Sequence, residues 1–261
     1  MNRIRKTIWT VILCLTCTFL ISACSPSSDN SLDRVNNAGS MSFGMSSGYP
    51  PFCFYNNRNE LVGYDVDVAN EIAKRLGVQP KLIDTEWKDI INNLNAGVYD
   101  GIVSSISVTD ERMALVNFSI PYYHSKSVLI VRKDSPYKSH ADLKGKIIGV
   151  EAGTMFESDA KKMGEVNIRT FKTSDQALMA LHNKLLDAVI TDEIVSDYVA
   201  DTKKLNLDSL GEPLRRDKIA VALRKGDNTL LKKVNEIVKS MQEDGTLRKL
   251  SAKIIENRHK R

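Results

Sequence analysis

Short apolar runs of strand type alternate along this chain with longer stretches whose apolar residues recur at helical spacing. That rhythm restricts the fold more than any other feature. Strand-like runs fall at 41–46, 81–84, 101–106, 127–131, 146–151, 167–171 and 187–191. Between them, 65–76 puts Val68, Ile72 and Leu76 on one helical stripe with Gly77 as its stop, and 86–96 turns Ile90, Ile91 and Leu94 inward. Alternation of this kind specifies parallel sheets covered by helices, the α/β class. After Lys146 the pattern restarts with Ile147, Ile148, Gly149 and Val150, a turn at 152–154 and a helix over 155–163. Two α/β units similar in architecture are the natural reading, although no close sequence repeat relates them.

The first residues are of a different character. Arg3, Arg5 and Lys6 precede an apolar run over 8–21 that ends in Ser22, Ala23 and Cys24. The run is shorter than the ~20 apolar residues a membrane-spanning helix needs, and it reads as a secretion signal. Ile21-Ser22-Ala23-Cys24 resembles the lipobox of bacterial lipoproteins. That resemblance implies cleavage before Cys24 and a lipid on this cysteine, with 1–23 as signal peptide and 24–39 as a lipidated tether. Residues 25–32 are small, polar and free of aromatics, in keeping with a tether. Roughly 230 residues then remain, room for two units of about 110 each.

Cleavage also changes the charge. It removes three of the 37 basic residues and none of the 32 acidic ones, so +5 falls to +2. No basic run interleaved with aromatics remains, which argues against a nucleic-acid partner. Of the four cysteines, Cys14 and Cys17 leave with the signal, Cys24 carries the lipid and Cys53 is left without a partner, as a packed thiol. His124, His140, His182 and His259 show no ligand spacing with it, so neither a metal nor another cofactor is expected.

The chemistry concentrates at 104–112, Ser-Ser-Ile-Ser-Val-Thr-Asp-Glu-Arg. Hydroxyls, free backbone amides and one guanidinium meet there between a strand over 101–106 and a short helix over 110–116 capped by Thr109. A guanidinium so placed can fork onto both oxygens of a carboxylate, or it can pair with Asp110 or Glu111 at the surface. The turn at Gly153-Thr154 either aims N–H groups at an anion or is a tight connection that needs glycine. Asp192, after the apolar run 188–191, is on its own terms an N-cap for a helix beginning at Glu193. Trp87 on its own terms is either a core residue over the sheet or a wall of a site.

Taken in order, Tyr49-Pro50-Pro51-Phe52, Gly63-Tyr64-Asp65-Val66-Asp67, Trp87, Ser104 to Ser107 with Thr109 and Arg112, Gly149 to Thr154, and Asp187-Ala188 with Asp192 form a fixed series. Together they resemble the polar amino-acid family of type II periplasmic solute-binding proteins, over about 40–255. The resemblance implies two α/β lobes with mainly parallel sheets, joined by two crossover strands, with the ligand in the cleft between them. Residues 40–126 and 217–261 would form lobe 1 and 127–216 lobe 2, with crossovers near 123–127 and 216–219. A final helix, N-capped by Asn228 and carrying Leu230, Val234, Ile237 and Met241 on one face, would pack back on lobe 1.

By the same resemblance Arg112 holds the α-carboxylate of an amino acid, with Ser107 and the backbone amides around Thr154 and Met155. Asp192 holds the α-ammonium with a hydrogen bond from the Ser104–Ser105 pair, chiefly Ser105. Tyr49 and Trp87 are walls for the side chain. Ser46 stands where relatives that take basic amino acids commonly carry an acid, whereas Glu151 stands at a cleft-side strand end. Glu151 either meets a cationic side chain or pairs with a lysine of its own lobe, and Phe156 makes that corner more apolar. The implied protein is a monomeric, extracytoplasmic lipoprotein, held to a bacterial membrane through Cys24, that closes on its ligand and delivers it to a permease and an ATPase. A cyclohexadienyl dehydratase-like enzyme on the same fold, with Glu151 or Glu193 as acid, and an amino-acid-sensing lipoprotein are the alternatives.

Overall fold

The computed structural model describes residues 29–259. The expected signal peptide over 1–23, Cys24 and the start of the expected tether lie outside them. The chain runs through α1 (Ser31–Ala38), β1 (Ser40–Met45), the small hairpin β2 (Phe54–Tyr55) and β3 (Leu61–Val62), α2 (Tyr64–Leu76), β4 (Gln79–Asp84), α3 (Ile90–Asn95), β5 (Gly101–Ile102), α4 (Asp110–Leu115) and β6 (Val116–Arg132). It continues through β7 (Ile147–Glu151), α5 (Met155–Met163), β8 (Asn167–Phe171), α6 (Ser174–His182), β9 (Ala188–Asp192), α7 (Glu193–Lys203), β10 (Leu207–Ser209), β11 (Arg215–Arg224), α8 (Asn228–Glu243) and α9 (Thr246–His259).

The α/β alternation holds, but the sheets expected as separate are continuous. Nine strands form one mixed sheet in the order β4-β1-β5-β11-β6-β9-β7-β8, with β10 added to β6. Parallel pairing is confined to the two ends, where β1 lies between β4 and β5 and β7 lies between β8 and β9. In the middle, β6 and β11 pair antiparallel from Val116↔Arg224 to Ser127↔Arg215. From Ser127 to Ile130 the other edge of β6 takes up β9. Side chains alternate between the faces, as a strand period of two requires. Leu129, Val131, Ile148, Val150, Ala188 and Ile190 face the α5 side with Phe156 and Ala160, while Val128, Ile130 and Val189 join the opposite core with Ala177 and Leu178.

Several boundaries move for identifiable reasons. The strand expected over 101–106 ends at Ile102, because Ser105 turns to a left-handed φ of 50°. The helix expected over 86–96 is a 3-10 turn (Trp87–Asp89) followed by α3. Asn228 is the first residue of α8 rather than its cap; Asp227 holds the cap position, while Leu230, Val234, Ile237 and Met241 are buried as expected. Gly77 does stop α2, at a φ of 77°.

The tether expected over 24–39 is folded from Ser31 onward. Helix α1 lies against α8 with Val35 buried at 1% exposure. The Ser31 hydroxyl accepts from the Leu230 N–H at 3.2 Å and shares a bond with the Thr229 hydroxyl, and Arg34 reaches Asp100 and Asp227. Small polar residues predicted a linker because propensity ignores the partner; docking on α8 is a tertiary contact. Val35→Ala should therefore lower the unfolding free energy by about 2 kcal/mol, the loss of two buried methyls plus a cavity. Urea denaturation measures it, and an unchanged midpoint would return the segment to a tether.

Candidate functional site

Where the two ends of the sheet face each other, a cavity is lined by Ser46, Tyr49, Trp87, Ser104, Ser105, Ser107, Arg112, Ser125, Glu151, Thr154, Met155, Phe156 and Ile219. The structure thus brings together every residue singled out from sequence except Asp192. Ser46 and Phe156 carried only specificity arguments there. Ser125 and Ile219 were not foreseen. They come from β6 and β11, and their positions in the crossover strands are the signal that could have found them.

Arg112 is held from several sides. Thr109 caps α4, its hydroxyl accepting from the Arg112 N–H at 3.2 Å. The guanidinium Nη1 donates to the Ser107 carbonyl at 3.1 Å and the group lies 5.2 Å from the centre of the Trp87 ring. Among the described residues no carboxylate lies within ion-pair distance of it, so the alternative of a surface pairing with Asp110 or Glu111 is not realised. Desolvation draws its pKa down to about 10, against the pull of Asp217 and Glu111. It is still charged at neutral pH, with N–H groups to spare.

Across the cavity the turn after β7 supplies donors. Gly153 has a φ of 71°, which makes the turn, and its N–H is taken by Glu157 at 2.9 Å, so this amide is not free as expected. The Thr154 hydroxyl turns back to the Glu151 carbonyl at 2.7 Å. Among the described residues neither the Thr154 nor the Met155 N–H has a backbone acceptor, and both stand at the start of α5. The Trp87 indole N–H donates to the Gly153 carbonyl at 3.1 Å, joining the two sides of the cavity. Trp87 is half-buried and is a wall rather than a core residue. Tyr49 forms another wall, stacked on Phe52 at 5.8 Å.

Three carboxylates surround this cavity, each buried and each satisfied by hydroxyls or backbone amides. Glu151 ends β7, and its Oε2 accepts from the Ser174 N–H at 3.0 Å and the Ser174 hydroxyl at 2.9 Å. Among the described residues it has no lysine partner, so that expectation fails; Glu151 caps α6 instead while lining the cavity. Burial pushes its pKa up to about 7, against the two Ser174 bonds. Asp192 is fully buried and does not line the cavity. Its Oδ1 caps α7 through the Ile194 and Val195 N–H groups at 2.7 and 3.3 Å, and its other oxygen accepts from the hydroxyl of Ser125, which does line it. Burial raises Asp192 to about 6. Asp65, also fully buried, is raised by burial to about 6 and accepts from Ser105 and Tyr122. Cys53 is buried, and burial pushes its thiol up, so it is a packed thiol as expected.

Residues 41–257 match the family model of bacterial extracellular solute-binding proteins, family 3. The chain belongs to that family. Among family 3 proteins it is 34% identical over 226 residues to the L-cystine-binding protein TcyJ of Escherichia coli (strain K12), covering 85% of each chain. It is 31% identical over 219 residues to the ABC transporter arginine-binding protein 1 of the same strain, covering 82% of this chain and 90% of that one. A crystal structure of the ancestral amino acid-binding protein AncCDT-1, a precursor of cyclohexadienyl dehydratase, superposes with a TM-score of 0.80 at 33% identity over 85% of this chain and 98% of that chain. The fold of this family 3 chain is therefore the periplasmic-binding-protein fold expected from sequence, with its mixed sheet curled through the crossovers.

The pKa of Glu151 yields a pH signature. Its folded-state value lies above its unfolded value, so the native protein binds a proton the unfolded chain has released, and stability falls as pH rises from about 4.5 to about 7. Glu151→Gln lacks this loss. Chemical denaturation across pH 4.5–8 should show the variant gaining on the wild type up to about pH 7 and then levelling; a difference independent of pH would contradict the raised value.

Proposed function

We propose that this protein captures an L-α-amino acid outside the cytoplasm and delivers it to an ABC importer. One observation carries the reading: a charged guanidinium lines the cavity with no carboxylate partner among the described residues, while Glu151 lines the same cavity and Asp192 stands behind Ser125, which lines it too. A buried charge without a partner is costly, and a ligand carboxylate removes that cost. In this reading Arg112 forks onto the α-carboxylate, assisted by Ser107 and the Thr154 and Met155 amides. The α-ammonium takes Ser104, Ser105 and the Ser125–Asp192 pair. Tyr49 and Trp87 flank the side chain, and Glu151 meets its far end. Arg112 is the one cation lining the cavity, and it faces Asp192 behind Ser125 and a Glu151 that is partly ionised at neutral pH, which supports a ligand carrying an amine or other strong donor besides its carboxylate. The cystine and arginine bound by the two named relatives both meet that condition.

Lobe 1 is 40–126 with 217–261 and lobe 2 is 127–216 in this proposal, with Arg112 in the first and Asp192 in the second. Ligand that touches both favours the closed state. The chain works as a monomer without a cofactor, anchored by lipid on Cys24 after loss of 1–23.

The dehydratase reading has one observation in its favour, a cavity carboxylic acid, Glu151, with its pKa near 7. Product formation from prephenate or arogenate would establish it and overturn the receptor reading. For the receptor, a thermal-shift screen of the mature protein against the twenty amino acids, L-cystine and polyamines should show stabilisation by amino acids and none by polyamines, which lack a carboxylate. Arg112→Ala should then cost roughly 3–5 kcal/mol of binding free energy for any amino acid that binds. Calorimetry finding the variant within a few-fold of wild type would discard the carboxylate assignment.

A further inference from the structure

Asp65 does not line the cavity and has no ion-pair partner among the described residues, yet it is fully enclosed behind the site. It is the second residue of α2, with no exposed surface. Its Oδ2 accepts from the Ser105 hydroxyl at 2.7 Å and its Oδ1 from the Tyr122 phenol at 2.6 Å. The phenol oxygen in turn accepts from the Ser105 N–H at 3.2 Å, closing a ring of three residues. The Tyr64 phenol, donating to the Tyr122 carbonyl at 3.3 Å, backs this ring from α2. Ser105 sits at a φ of 50°, a region a residue with a side chain enters at a cost, and the ring holds it there.

The hydrogen count decides what this ring does. A serine hydroxyl has one proton and two lone pairs. With the proton committed to Asp65, Ser105 has none left to offer. We infer that Asp65 is the positioning residue of the ammonium subsite: by taking the Ser105 proton it turns the Ser105 oxygen into a pure acceptor toward the cavity, which selects a ligand amine. The Ser125 hydroxyl is committed in the same way, its proton going to Asp192. Two cavity serines thus present lone pairs, each oriented by a carboxylate behind it. Asp65 is ionised at neutral pH and keeps this role there, its value near 6 notwithstanding.

The inference rests on the amino-acid reading above, and its test separates the two. The probes are two pairs, L-arginine with 5-guanidinopentanoate and L-cystine with 3,3′-dithiodipropionate; the second member of each lacks the α-amine. Calorimetry on the wild type should show the amino acid preferred. Asp65→Asn should lower that preference by about tenfold or more, the worth of a hydrogen bond to a charged group, while affinity for the deaminated analogue changes by less than about threefold. Ser105→Ala should lose the same preference, and adding Asp65→Asn to it should change little further, since the effect passes through Ser105. Should Asp65→Asn fail to fold, Ser105→Ala carries the test alone, and a full amine preference in it overturns the inference. Equal loss for both members of a pair in Asp65→Asn, or an undiminished effect in the Ser105→Ala background, overturns it as well and leaves the amino-acid reading standing. Where the screen above finds a different amino acid, that one and its deaminated analogue replace the two pairs; a wild type that binds no amino acid overturns both readings.

Discussion

The antiparallel ladder between β6 and β11 is the contact on which everything else hangs. One edge of it takes up β5 and through β5 the strands that bring in Arg112 and Trp87; the other takes up β9 and β7, which bring in Glu151 and the turn at Thr154. Because backbone bonds set the ladder, the register of β6 fixes which residues of the two ends can meet. A slip of one residue would turn both Ser125 and Ser127 to the other face of the sheet. Ser127 bonds Asp159 of α5 at 2.8 Å, Arg215 bonds the same carboxylate, and Arg215 also holds Asp217 at 2.6 Å. That buried cluster ties the ladder to the helix whose start faces the cavity.

The electrostatics of the cavity follow one rule. Each acid is buried and would be costly as an anion, and each is stabilised by groups that carry no net charge: Ser174 for Glu151, Ser125 and the α7 amides for Asp192, Ser105 and Tyr122 for Asp65. Neutral donors steady a carboxylate without cancelling its field. Salt bridges would have cancelled it, and they lie elsewhere, as in Lys126–Glu193 and Lys172–Glu86. In the proposed receptor a ligand amine would enter a field that remains negative, and a ligand carboxylate would meet Arg112, the single cation among the lining residues.

The helix-strand alternation and the fixed order of motifs made the fold legible, and the motif series also yielded Tyr49, Trp87, the serines, Arg112 and the Thr154 turn. These are residues whose type and local setting agree. What could not be read depended on partners distant in sequence. Residues 31–38 fall within the tether expected over 24–39 and fold because α8 covers them. Gly153 has the sequence of an anion turn, but Glu157 claims its amide. Ser125 and Ile219 look ordinary because nothing in a strand says which cavity it passes. Asp192 was legible both as N-cap and as a site residue, and it occupies the cap while reaching the cavity through Ser125.

The hydrogen bond from the Trp87 indole to the Gly153 carbonyl has a consequence for timing. In the proposed receptor this bond would span the two lobes, so part of the free energy of closing would belong to the protein. An incoming molecule needs to supply only the remainder, and the measured affinity is the intrinsic one scaled by the fraction of molecules able to close. In that reading the same bond would have to break before the ligand could leave. Residence time is thus set in part by an indole that need not touch the ligand at all, and a receptor of this design can lengthen its hold without changing which molecule it prefers.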